Sequence, residues 1–82
     1  MKKGKVEVNG KEYELQSLPY KKYLELLDQC NNKYGVLQQA AYAEKLYKYC
    51  VINPKVTSSD FDEDFKAGLQ LVEEIERFLG MQ

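Results

Sequence analysis

The dipeptide Asn9-Gly10 lies between two alternating runs, Lys5-Val-Glu-Val8 and Lys11-Glu-Tyr-Glu-Leu15. No other stretch restricts the backbone so tightly. Asn and Gly both tolerate positive φ, which a two-residue type I′ turn demands at its central positions. A loop of that length fixes the register. Val8 opposes Lys11, Glu7 opposes Glu12, Val6 opposes Tyr13 and Lys5 opposes Glu14. Val6, Val8, Tyr13 and Leu15 then share the face to be buried, and Lys5, Glu7, Glu12 and Glu14 share the wet one. Lys5 and Glu14 attract across the ribbon, while Glu7 and Glu12 repel mildly. A lone hairpin is marginal in water, so this one needs a platform.

Three helical patterns supply it. Ser17-Leu18-Pro19 reads as a helix start, with Ser as cap and Pro in the first turn. Tyr20, Tyr23, Leu24, Leu27 and Cys30 follow at helical spacing, and Asn31 to Gly35 breaks the run. A second helix places Val36, Ala40, Ala43, Tyr47 and Cys50 on one stripe and stops before Asn53-Pro54. A third begins after Val56-Thr57-Ser58-Ser59, with Thr57–Asp60 or Ser59–Asp62 as a capping pair. Its apolar line is Phe61, Phe65, Gly68, Val72, Ile75 and Leu79, and Gly80 is its stop. The acids Asp60, Asp62, Glu63 and Asp64 suit the positive end of that helix, and no glycine turn makes them a calcium loop. The expected fold is α+β: an N-terminal β-hairpin (about 5–15) packed on a three-helix bundle (about 18–32, 36–52 and 59–79). It forms one domain over residues 1–82, with 1–4 lacking fixed structure.

Composition narrows the chemistry. The 82 residues include no His and no Trp. That removes Ser-His and Cys-His pairs and the common zinc sites. The five glycines are scattered, so none forms a phosphate-cradling loop. No catalytic residue, metal or cofactor is expected. Cys30 and Cys50 read as reduced thiols of a cytoplasmic protein, since no signal peptide or membrane span is recognisable. A net charge of −1 argues against general nucleic-acid binding. The charge is uneven: residues 1–55 hold ten Lys and six acids, a formal +4, and residues 56–82 hold two cations and seven acids, a formal −5. Either the two halves attract within one fold or the molecule has one basic and one acidic face.

Seven tyrosines are the unusual abundance. Tyr20, Tyr23 and Tyr47 fall on the apolar sides of their helices. Tyr42 and Tyr49, seven apart and bordered by Leu46, fall on the back of the second. In the third helix, Leu71 and Phe78 form a second apolar line. Tyr42 and Tyr49 are either ordinary surface tyrosines or packed under the hairpin, or else an aromatic stripe for a partner, since Tyr is enriched at binding hot spots. With Leu71 and Phe78, the third helix is either buried between neighbours or meets another chain. The candidate partner residues are thus Tyr42, Leu46, Tyr49, Leu71 and Phe78.

The order of these signals carries a family likeness. The Asn-Gly hairpin Val6–Leu15 is followed by a Pro-Tyr-x-x-Tyr-Leu-Glu-Leu helix start (Pro19–Leu26). Then come Val51-Ile52-Asn53-Pro54-Lys55 and an Asp60-Phe61-Asp62 opening to a last helix ending Phe78-Leu79-Gly80. Over about residues 5–80 the chain resembles the small tail assembly chaperones of long-tailed phages and prophages of Gram-positive bacteria. The resemblance implies a non-enzymatic protein that binds the long helical tape measure protein during tail morphogenesis. The tail-tube protein then polymerises around the tape measure, and the chaperone is absent from the finished particle. It implies no membrane or nucleic-acid partner, a place in the cytoplasm of the infected or lysogenic cell, and a chain corresponding to the short form of frameshifted pairs. Self-association would use the same surplus surface. Two other readings remain: a small structural tail or connector protein of the virion, and a regulatory or anti-defence binding protein of a mobile element.

Overall fold

The computed structural model describes residues 2–81. Strands β1 (Lys3–Val8) and β2 (Lys11–Gln16) form the expected hairpin in the expected register. Asn9 and Gly10 turn it with φ of 51° and 80°. Val8, Tyr13 and Leu15 are buried, and Val6 packs against them half-buried. On the wet face Lys5 Nζ lies 3.6 Å from Glu12 Oε1 rather than pairing with Glu14. This diagonal contact sits beside the Glu7–Glu12 repulsion.

The hairpin starts earlier than residues 1–4 were expected to allow, because Lys3 and Gly4 belong to β1. Met1 lies outside the described residues. Two bonds close the open end of the ribbon: Lys2 N–H donates to Ser17 Oγ at 3.0 Å, and Ser17 N–H donates to the Lys2 carbonyl at 2.8 Å. Gly4 admits the Phe78 ring against the strand, since a Cβ there would sit 2.7 Å from it. Ser17 is thereby committed to the hairpin and does not cap a helix. Helix α1 (Tyr20–Cys30) starts from Pro19, whose carbonyl accepts from Tyr23 N–H at 3.1 Å. It is shorter than 18–32 at both ends.

Helix α2 spans Gln39–Cys50, not 36–52. Its N-terminal side is taken up by a tight loop in which Asn32 Oδ1 accepts from Tyr34 and Val36 N–H, with Gly35 at φ 78°. On the other side the β-branched Val51-Ile52 leaves the helix and becomes β3 (Val51–Asn53), a strand that the helical pattern concealed. It pairs antiparallel with β2 through Leu15↔Val51 and Glu14↔Asn53, giving sheet order β1-β2-β3. The architecture is α+β as expected, with three strands instead of two.

The expected last helix is divided. A 3-10 turn (Ser58–Phe61) opens with Thr57 N–H donating to Asp60 Oδ2 at 2.7 Å, one of the two anticipated capping pairs. Helix α3 (Phe65–Phe78) then starts afresh from Asp64, whose Oδ1 accepts from Ala67 N–H at 3.2 Å. Gly80, at φ 94°, stops it: Gly80 N–H donates to Arg77 O and Met81 N–H to Glu76 O, a Schellman closure.

Helix α2 is the middle element, packed against α1, α3, β2 and β3. The core joins Leu15, Leu26, Cys30, Leu46, Cys50, Val51, Leu71 and Ile75. Of the expected α2 stripe, Tyr47 and Cys50 are buried, Ala43 is half-buried, and Val36 and Ala40 are exposed. Tyr20 and Leu24, expected in the core, are exposed, and Leu26 takes the inward position on α1.

Asp64 serves two elements, because its Oδ2 also accepts from Asn9 Nδ2 at 2.5 Å. Asp64→Ala is expected to cost about 1–2 kcal/mol, as a lost cap does. Asn9→Gly keeps the turn and removes only the tether. In urea unfolding, the two substitutions should couple by about 0.5–1 kcal/mol. Strict additivity would show that the tether contributes nothing.

Candidate functional site

The five residues singled out as a partner surface do not form one. Tyr42, Leu46 and Leu71 are core, with relative exposures of 5%, 0% and 0%. Tyr42 lies between three helices. Its hydroxyl donates to Glu76 Oε2 at 2.7 Å, so the 2.9 Å contact with Tyr23 places the Tyr23 hydroxyl as donor to Tyr42. The two rings meet edge to face, centroids 6.4 Å apart. Tyr49 and Phe78 are half-buried at separate places. Tyr49 has Lys45 and Lys48 Nζ at 5.9 and 5.5 Å from its ring centroid. Phe78 lies against Gly4, with Lys2 Nζ at 4.7 Å. Burial between neighbours, one of the two alternatives for the third helix, therefore holds for Leu71, while Tyr42 is neither a surface tyrosine nor under the hairpin but buried against α1 and α3, with Leu46 buried beside it. A partner could not reach those three without opening the core.

The exposed apolar residues lie elsewhere. Phe65 and Leu69, one turn apart on α3, are 75% and 69% exposed. They flank a groove whose other walls are Tyr47, Ser58, Phe61, Asp62 and Gly68. Gly68 makes this groove. A Cβ at that position would lie 3.0 Å from Phe61 Cβ and Cγ, so the glycine lets the 3-10 turn lie against α3. Tyr47 reaches across from α2 and donates to the Gly68 carbonyl at 2.9 Å, its ring 5.5 Å from that of Phe61. The groove thus rests on a floor held by the Tyr47–Gly68 bond, with two exposed apolar side chains on its rim. A second apolar depression of similar size joins Leu18, Tyr20, Tyr23, Leu79, Gly80 and Met81.

Phe65 was expected on the buried line of one helix running from residue 59, and Leu69 on no apolar line. The break at 62–64 separates Phe61 from α3, whose buried face runs through Ala67, Gly68, Leu71 and Ile75 and leaves Phe65 and Leu69 exposed at its side. The signal that could have found them was Asp64 as an N-cap directly before an apolar residue.

The perturbed groups do not mark a reactive centre. Burial raises the Tyr42 phenol well above its ordinary range, aided by its bonds to Glu76 and Tyr23. Burial also raises Tyr47, with the Glu44 charge adding to it, and Tyr13, with Asp60 and Asp64 adding. The buried Cys50 thiol is pushed up to about 11. Each shift holds its group protonated at neutral pH, the opposite of an activated nucleophile. No group of three metal-ligating side chains occurs among the described residues. No helix among them is long and apolar enough to cross a membrane. What the surface offers is an apolar groove for binding. Compared with family models, curated proteins and solved structures, the chain matches none.

The burial of Cys50 has a pH signature. Above pH 9 the unfolded chain loses this proton, while the folded chain keeps it to about pH 11. Stability is thus fully present below pH 9 and falls as pH rises, by about 1.4 kcal/mol per unit for this one thiol. Tyr42 adds to the fall from about pH 10. Urea midpoints measured from pH 7 to 11 should show the decline, and Cys50→Ala should flatten its first part. An unchanged slope would remove Cys50 as a cause. Tyr42→Phe leaves the Tyr23 hydroxyl and the Glu76 carboxylate without their shared partner and should cost about 1–2 kcal/mol at pH 7.

Proposed function

We propose that this chain is a phage or prophage tail assembly chaperone, a non-enzymatic protein that covers an apolar helical face of the tape measure protein during tail morphogenesis. The order of hairpin, helix starts and stops along residues 5–80 supports the reading. The observation that carries it is the exposed Phe65–Leu69 pair above a floor fixed by Tyr47, Phe61 and Gly68. Apolar side chains one helical turn apart beside a groove are what helix-on-helix recognition uses. The folded core does not need them, since both lie outside it. In this role the partner is the tape measure protein, with the tail-tube protein next in line to replace the chaperone. The compartment is the cytoplasm of the infected or lysogenic cell. A cover that must be displaced later needs moderate affinity, and a short groove with two anchors provides that rather than a large obligate interface.

The test is co-expression with the tape measure protein encoded in the same tail gene cluster. The native chain should keep that protein soluble and co-purify with it. Phe65→Ser with Leu69→Ser should weaken capture by about 30-fold or more, the loss of a hot-spot pair, while leaving circular dichroism and the urea midpoint nearly unchanged. Failure of the native chain to bind the tape measure protein would overturn the reading.

A further inference from the structure

The charges around the groove are one-sided. Among the residues that line it, the only charged side chain is Asp62. Glu44 stands next to it, with Oε1 accepting from the N–H of Ser58, itself a lining residue, at 2.7 Å. Its charge also acts on the Tyr47 phenol across the floor. The cations of the neighbouring segments are directed elsewhere, with Lys55 Nζ donating to the Lys48 carbonyl at 3.3 Å. Lys66 lies with Asn9, Asp64, Ala67 and Gln70, on the hairpin side of α3. Arg77 is paired with Glu74 one turn back on the same helix. Lys45 and Lys48 lie over the ring of Tyr49 on α2. An apolar groove with an acidic edge and no lining cation selects for a partner whose apolar residues are accompanied by Lys or Arg. An acidic partner would place like charges together on desolvation.

The shape selects further. The ridge of the groove is Phe65 and Leu69 on a helix, which has no strand edge with which an incoming strand could pair. Side chains spaced one turn apart match the ridge of another helix.

From this charge and shape we propose that the Phe61–Phe65–Leu69 groove binds a basic amphipathic helix, its apolar residues seated between Phe65 and Leu69 and its Lys or Arg directed to Asp62 and Glu44. This deepens the chaperone reading and rests on it for the identity of the protein that carries the helix. The groove's preference for a basic helix follows from its own residues.

The experiment uses the full chain and two synthetic helical peptides with one identical Leu face, flanked in one by Lys and in the other by Glu. Calorimetry or anisotropy at low salt should show the Lys peptide binding at least about 10-fold tighter. That margin should shrink to within about 3-fold at 1 M NaCl, where screening is nearly complete. Asp62→Asn should weaken the Lys peptide by about 3- to 5-fold, and Phe65→Ser with Leu69→Ser should abolish its binding. Equal affinity for both peptides, tighter binding of the Glu peptide, no binding of either, or Lys-peptide binding that survives the double Ser variant would each overturn the proposal. The two readings fail separately. A chain that binds the tape measure protein and shows no preference between the peptides loses only the charge assignment. A chain that prefers the Lys peptide at this groove and ignores the tape measure protein loses only the chaperone role.

Discussion

Helix α2 has packed neighbours on both flanks and at its end, and the rest of the structure follows from that enclosure. A helix against one layer needs one apolar stripe, whereas a helix between layers needs more. Tyr42, Leu46, Cys50 and Tyr47 fill one broad arc of α2. Two of these four carry phenols, and a buried hydroxyl without a partner is costly. Both are satisfied across helices: Tyr42 bonds Glu76 on α3 and receives the hydroxyl of Tyr23 from α1, while Tyr47 bonds the Gly68 carbonyl on α3. The tyrosines thus fix how the neighbouring helices sit about α2, supplying direction where the aliphatic core supplies only area. No buried side-chain polar atom among the described residues lacks a partner.

That enclosure separates what was legible in the sequence from what was not. The turn and register of the hairpin were legible, because Asn9-Gly10 and strict alternation are local signals, whereas its extension to Lys3 and Gln16 was not. The stop at Gly80 and the Thr57–Asp60 cap were legible for the same reason. The phase of α1 and α2 was not. A wheel drawn on one helix cannot show how many neighbours it will have, so Tyr42 and Leu46 read as surplus when they are core. Strand β3 was hidden because Val51 and Ile52 continue a helical pattern, and only pairing with Leu15 and Glu14 makes them a strand. The exposure of Phe65 and Leu69 was hidden as well: residues 62–64 separate Phe61 from α3, and the inward positions of that helix are Ala67, Gly68, Leu71 and Ile75.

The charge asymmetry seen in the sequence also acquires a place. Asp64 is consumed internally, holding Ala67 N–H and the Asn9 side chain, and Asp60 is consumed by Thr57. Asp62, between them, has no such partner among the described residues, and it is the one that edges the groove. What reads as one acidic run is two structural carboxylates, Asp60 and Asp64, enclosing two others, Asp62 and Glu63, of which Asp62 edges the groove. Similarly, the basic half is not one patch, because Lys2, Lys45 and Lys48 lean on aromatic rings at different points of the surface.

Along α3, duties alternate within a single turn. Gly68, Leu71 and Ile75 answer to the interior, while Phe65 and Leu69 answer to nothing in the chain itself. Natural drift or deliberate redesign can therefore alter this stretch of surface without first having to restabilise the fold. Chains that share the scaffold are free to diverge at 65 and 69, so likeness among them would persist in the pattern of turns and caps after it had vanished from those two positions.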